Sequence, residues 1–481
     1  MNRRRRRTWP RARFDERAPV PSLAEASAGI ADGTLSPVAL CEQALARIAA
    51  LEPALNAFIL LTADRARAAA ATAEAEIKAG RSRGPLHGIP YALKDIYDVA
   101  GLPTTAHSRV LIGRNTPVAD SDAAARLEAA GMVLLGKLAT HEFARGGVRD
   151  DDLPFPRAKN PWNPLHFAGG SSSGSGAGVS SGMMALAMGS DTGGSIRLPA
   201  AFSGCVGLKP TYGRLSRRGV VPLSFGMDHT GPLTRTVEDC ALAMQVLAGH
   251  DPEDPGSAPV PVGDYMSGLR DGVAGLRLGY ARAYNIEAGV DAEALAANDA
   301  AVEVLAKLGA GIVEVAMPSL KRFEAAVWTI IHAESFAIHQ QDLRQRPEAY
   351  GRTTRERIML GAFVTGPQYV QAQRLRLSLM REVDALFGEV DAILCAPAHG
   401  AAPLAAESDD GPWRRAQPIT AAFNVTGHPA LCLPAGFAAN GLPLSLQIVG
   451  RNFDEATVLR IGQAYEQATE WHTRRPPEAW A

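Results

Sequence analysis

Residues 169–200 read GGSSSGSGAGVSSGMMALAMGSDTGGSIRLPA. Two clusters of small residues, 169–178 and 190–195, flank an apolar segment holding Met183, Met184, Leu186, Ala187 and Met188. Glycine reaches backbone angles closed to other residues and lets groups approach the main chain. The clusters predict two tight turns brought to one place, each presenting hydroxyls and bare backbone N–H groups. A nucleophile and an oxyanion hole need those groups, so the stretch is read as a catalytic core. Three other readings compete. A flexible linker fits poorly, because an apolar element follows directly. A phosphate loop would need GxxxxGK[ST], which is absent. The run GSSSG, Gly170 to Gly174, fits a G-x-S-x-G elbow with Ser172 as nucleophile. That pattern arises by accident in so serine-rich a run, and no downstream His stands out as its base.

Working outward, the chain of 481 residues is long enough for a large core. A net charge of −1 supplies no global field for nucleic acid. No run of 18 or more apolar residues is present, so no membrane span is expected. The five cysteines lack CxxC or Cys/His metal spacing and lie in apolar contexts. They read as reduced, buried thiols of a cytoplasmic protein. HExxH is absent too, and neither metal nor cofactor is expected.

The N-terminus, MNRRRRRTWPRARF, reads as a basic disordered arm over residues 1–20. No apolar stretch follows the arginines, as a twin-arginine signal would require. Order is expected from Ser22, where Ser22 to Glu25 fits a capping box. Ser36-Pro37 starts a second helix, and a third spans Asp64 to Lys78. These helices carry no visible chemistry; a homodimer contact there is left open. Strands are expected at Ile89–Leu93, Met132–Gly136, Leu276–Tyr280, Gly311–Val315, Asp391–Cys395, Ala430–Leu433 and Leu444–Val449. Helices are expected at 121–130, 234–249, 323–343, 369–387 and 454–467. Cys205–Thr211 and Asp228–Leu233 read as loops, and His250–Ser257 as a linker. The expected fold is α/β: one α/β/α sandwich domain over residues 21–481. Its central mixed sheet, mostly of parallel type, is covered by helices on both faces. A catalytic core would occupy about 84–250 and a variable pocket-forming part about 255–415.

The stretch resembles the signature of the amidase signature family of serine hydrolases. Gly169, Gly170, Ser171, Ser172, Ser173 and Gly174, then Asp191, Gly193, Ser195, Ile196, Arg197 and Pro199, stand at the family's spacing. The resemblance runs from about Leu23 to about Gly462 and is weakest between 255 and 415. It extends to GIPYALKD, Gly88 to Asp95, where a lone lysine would otherwise read as a surface charge. It implies a Ser–Ser–Lys triad: Ser195 as nucleophile, Ser171 as bridging serine after a cis Gly170–Ser171 bond, and Lys94 as base. Backbone N–H groups of Thr192, Gly193, Gly194 and Ser195 would form the oxyanion hole. Read from the residues themselves, Ser172 and Asp191 hold the site through hydrogen bonds, and Arg197 makes a structural ion pair beneath the nucleophile loop, the alternative being that it binds a substrate carboxylate. The family usually has Gly where this chain has His107.

For Lys94 to act as a base near neutral pH, its pKa must fall from about 10.4 by roughly 2–3 units, and burial at an apolar strand end supplies such a shift. Trp328, Ile331, Phe336, Met359, Phe363 and Tyr369 are candidates to line an apolar cavity. No clamp for a charged substrate stands out. The expected activity is therefore hydrolysis of small uncharged, aryl-type amides through an acyl-enzyme, extending to carbamates (a urethanase) and esters. The expected partner is that amide or carbamate, with neither nucleic acid nor membrane. One alternative is the A-type glutaminase subunit of a tRNA-dependent amidotransferase. Against it, Arg414–Thr420 holds no acid where such subunits tend to carry an Asp. The other alternative is a non-catalytic binding protein on the same fold.

Overall fold

The computed structural model describes residues 18–147, 152–407 and 419–478. The arginine-rich stretch up to residue 17 and residues 414–418 lie outside these. One sheet of eleven strands organises the described residues. The strands are β1 (Phe58–Leu61), β2 (Pro90–Lys94), β3 (Val133–Leu138), β4 (Leu186–Asp191), β5 (Val206–Lys209), β6 (His229–Thr234), β7 (Arg277–Tyr280), β8 (Gly311–Glu314), β9 (Ala392–Cys395), β10 (Ala430–Phe437) and β11 (Pro443–Gly450). Their spatial order is β1-β3-β2-β4-β6-β5-β10-β11-β9-β7-β8. Every residue of β2 to β6, β9 and β11 is buried. A strand buried at successive positions has both its faces covered, and helices supply the cover.

The sheet is mixed, but antiparallel neighbours outnumber parallel ones six to four. The expected parallel majority is corrected by β5 and β6. Gly, Pro, His and Thr crowd both segments, 205–211 and 228–233, and mimic loops in the sequence. They are central strands: β6 pairs with β4 from Leu186↔Thr234 to Asp191↔His229, and β5 joins β6 to β10.

Helix starts follow local sequence chemistry. Ser22 and Glu25 form the expected capping box, and Ser36 caps a helix with Pro37 in its first turn. The expected linker at 250–257 is a pinned turn. Asp251 accepts a hydrogen bond from Ser216 Oγ at 2.8 Å, and Asp254 one from the Arg217 backbone N–H at 2.7 Å. The five cysteines are buried and unpaired.

The opening stretch is also not two equal turns. Residues 169–172 turn, and Ser173–Ser180 is a short helix whose eight residues are all buried. Its glycines are packing residues: a Cβ on Gly174 would lie 2.3 Å from Ala57 O and 2.6 Å from Ala139 N. The apolar segment that follows is β4, which carries the chain back to Asp191 at the sheet's edge of the site.

Candidate active site

β2, β4 and the 169–172 turn converge on one buried amine. Lys94 is the last residue of β2 and is fully buried. Its Nζ donates to Ser171 Oγ at 2.6 Å and to Ser190 Oγ, on the neighbouring β4, at 2.8 Å. Burial disfavours the charged ammonium, and the carboxylates of Asp191 and Asp228 oppose this only in part. The Lys94 pKa is pushed down from 10.5 to about 7. The Gly170–Ser171 peptide bond is cis. Ser171 also lies beside the 140–143 turn, whose His141 N–H donates to Ser171 O at 3.1 Å. Burial, then the charge of Arg357, pushes the His141 pKa down to about 3, so this imidazole is neutral.

Asp191 and Arg197 hold the loop between them. The Asp191 carboxylate accepts from the Gly194 N–H at 2.7 Å and the Ile196 N–H at 3.1 Å. Arg197 meets it with Nε and Nη2, both at 2.9 Å. The remaining donors of Arg197 reach Thr420 O, Gln447 Oε1 and Asn424 Oδ1. Burial alone would raise the Asp191 pKa, but the Arg197 charge and these hydrogen bonds hold it well below the usual carboxylate range. Arg197 and Asp191 are both fully buried, which fits the expected structural ion pair.

Ser195 is half-buried at the loop tip and lines a cavity of about 410 Å³ together with Ser171, Thr192 and Gly193. Among the described residues its hydroxyl makes no hydrogen bond, so the Ser171–Ser195 link is open here. Such contacts commonly tighten only around substrate. The N–H groups of Thr192, Gly193 and Ser195 have no acceptor among the described residues. Gly194 departs from expectation, because its N–H is already committed to Asp191. Ser172 lies behind the loop, its Oγ donating to Ser190 O at 3.2 Å. His107 occupies a left-handed backbone position, φ 57°, which glycine enters freely. Its Nε2 lies 2.8 Å from Phe155 O, and it does not line the cavity.

Of the expected pocket residues, Trp328 and Ile331 line this cavity. Phe336, Met359, Phe363 and Tyr369 do not; Phe363 is 78% exposed. Three functional candidates escaped sequence reading, Ser190, Arg145 and Arg357; Asp228 lies in a segment expected to buttress the site, with no partner assigned to it. Arg145 and Arg357 line the cavity, and no described Asp or Glu joins them there. Arg145 stacks over Trp328 at 5.2 Å, and Arg357 Nη1 donates to Arg145 O at 3.0 Å and to Gly146 O at 2.9 Å. Arg357 is one of three arginines on the helix Arg352–Met359, and Arg145 lies outside the signature, so spacing carried no signal.

Fold, signature loop and buried amine together define the class: the chain belongs to the amidase signature family, whose model, described as Amidase, matches residues 39–459. Within that family it is similar to the A-type subunit of the glutamyl-tRNA(Gln) amidotransferase of Chloroflexus aurantiacus, at 41% identity over 95% of this chain and 98% of the relative. Among solved structures, the peptide amidase of Stenotrophomonas maltophilia aligns with a TM-score of 0.83 at 31% identity, covering 95% of this chain and 98% of that one. The corresponding amidotransferase chain of Thermotoga maritima, again the A-type subunit, aligns at 0.78 and 31%, covering 94% and 95%.

These relatives overturn the expectation of an acylamide amidohydrolase or urethanase acting on small uncharged amides, carbamates or esters without nucleic acid. The signature is common to both kinds of enzyme and did not discriminate them. A net charge near zero describes this chain alone and is silent about what a partner subunit would bind. The chain is an enzyme of its family, which sets aside the non-catalytic alternative. No described helix is long and apolar enough to cross a membrane.

Proposed function

We propose that this chain is the A-type subunit of a tRNA-dependent amidotransferase and hydrolyses the side-chain amide of free glutamine. The observation that carries this reading is the 41% identity, across 95% of the chain, to a relative named as that subunit. The aligned Thermotoga maritima chain, also named as that subunit, supports it with a TM-score of 0.78 over 94% of this chain. The unpaired, buried thiols agree with a reducing cytoplasm.

In this reading Ser195 Oγ attacks the amide carbon. Its proton passes through the Ser171 hydroxyl to Lys94, whose pKa near 7 leaves much of the amine neutral at physiological pH. The N–H groups of Thr192, Gly193 and Ser195 take the oxyanion; one such donor is typically worth about 3–4 kcal/mol. Collapse breaks the C–N bond. Lys94 returns the proton through Ser171 to the departing nitrogen, which leaves as ammonia. Water then attacks the acyl-enzyme by the same relay and releases glutamate.

The test is ammonia and glutamate release from glutamine by the chain alone, and with partner subunits and aminoacyl-tRNA. Hydrolysis that rises with the partners, and vanishes in Ser195→Ala, is expected. An enzyme inert to glutamine in both settings but active on anilides would overturn the reading.

A further inference from the structure

Two carboxylates grip the nucleophile loop, and only one lies in the signature. Asp191 holds Gly194 and Ile196 from below. On the other side, Thr192 Oγ1 donates to Asp228 Oδ1 at 2.6 Å. Asp228 is no freely turning side chain, since its Oδ2 accepts from the N–H groups of Leu223 at 2.8 Å and Ser224 at 3.0 Å. That 223–228 segment is fastened in turn. Ser224 Oγ and the Gly226 N–H donate to Glu334 Oε2, the latter at 2.9 Å, and Tyr369 OH donates to Glu334 Oε1 at 2.7 Å. Glu334 stands on the helix Leu320–Gln345, which also brings Trp328 and Ile331 to the substrate cavity.

We infer that Asp228 is a positioning residue: by fixing the Thr192 hydroxyl it aims the free Thr192 N–H at the oxyanion, and Glu334 ties this brace to the helix that lines the substrate cavity. A hydroxyl anchored two bonds from Cα restricts the backbone torsions that set where the residue's N–H points. Thr192 is the first residue beyond β4, where the ladder no longer constrains it. A donor aimed in advance stabilises developing charge without reorganisation at the moment of reaction.

The plainer reading is that Asp228 only closes its own loop. Thr192→Val separates the two, because it keeps the shape of the side chain and leaves the Asp228 bonds to Leu223 and Ser224 intact. The inference deepens the hydrolase reading above, so its test does not depend on glutamine. The full-length chain is treated with a fluorophosphonate, which forms an O–P bond at Ser195, expels fluoride and sets its phosphoryl oxygen in the oxyanion hole. Loss of the aim of one donor is expected to slow labelling by about tenfold or more in Thr192→Val, at an unchanged melting midpoint. Thr192→Ser, which restores the donor, is expected to recover most of that rate. Asp228→Ala is expected to be slow as well, and the double variant no slower than the slower single one, because both remove the same bond. With glutamine, the loss should fall on kcat and leave KM unchanged. Wild-type labelling by Thr192→Val, or additive losses in the double variant, would overturn the inference. A wild type that labels at Ser195 yet ignores glutamine would sink the proposed substrate and leave the brace to be judged by the labelling rates.

Discussion

Lys94 sits where its charge is unwelcome, and that makes its proton useful. Burial lowers its pKa to about 7 despite the pull of Asp191 and Asp228. Only the neutral amine accepts a proton. We expect kcat/KM to fall about tenfold per unit as pH drops below about 7 and to level off above it. Stability moves in the same sense. The unfolded chain keeps this proton up to the ordinary lysine value while the folded one releases it near 7, so the lysine's contribution to stability grows as pH climbs between the two. A rate that is flat from pH 5 to 9 would exclude Lys94 as the base. The resemblance pointed to Lys94, Ser171 and Ser195 from contiguous motifs. Ser190 and Asp228 were invisible as partners, because one acts across a strand pair and the other from a loop more than thirty residues downstream of the residue it holds.

The short helix Ser173–Ser180 explains at the level of the element why the chain uses glycine so heavily. It packs so close to the end of β3 that the Gly174 N–H donates to Ala139 O at 2.9 Å. Gly174→Ala should force this contact apart and cost about 1–3 kcal/mol or more, read as a lowered urea midpoint. An unchanged midpoint would mean that the helix is free to shift. Glycine in such runs suggests flexibility to a reader of the sequence, whereas here it marks close packing. Capped helices were legible, since Ser22, Ser36 and Asp454 each bond to the turn they start. β5 and β6 were not legible. Strands buried on both faces show no alternation, and their Gly, Pro and His suggest turns.

The whole molecule joins segments that the sequence keeps far apart. β5 pairs with β10, with Ala430 opposite Lys209, and no local pattern announces that neighbour. The expected catalytic core, about 84–250, is consequently no free-standing unit, and we propose that residues 21–481 fold as one. A fragment ending at residue 254 should lack a cooperative urea transition and resist fluorophosphonate, whereas the full chain shows both. A well-folded, reactive fragment would refute this. Arg197 carries the point further, because its guanidinium is satisfied only when Thr420, Asn424 and Gln447 are in place. During synthesis on the ribosome, therefore, all three triad side chains emerge long before the segment that shapes their loop. We expect the nascent polypeptide to stay chemically silent until that segment has been translated.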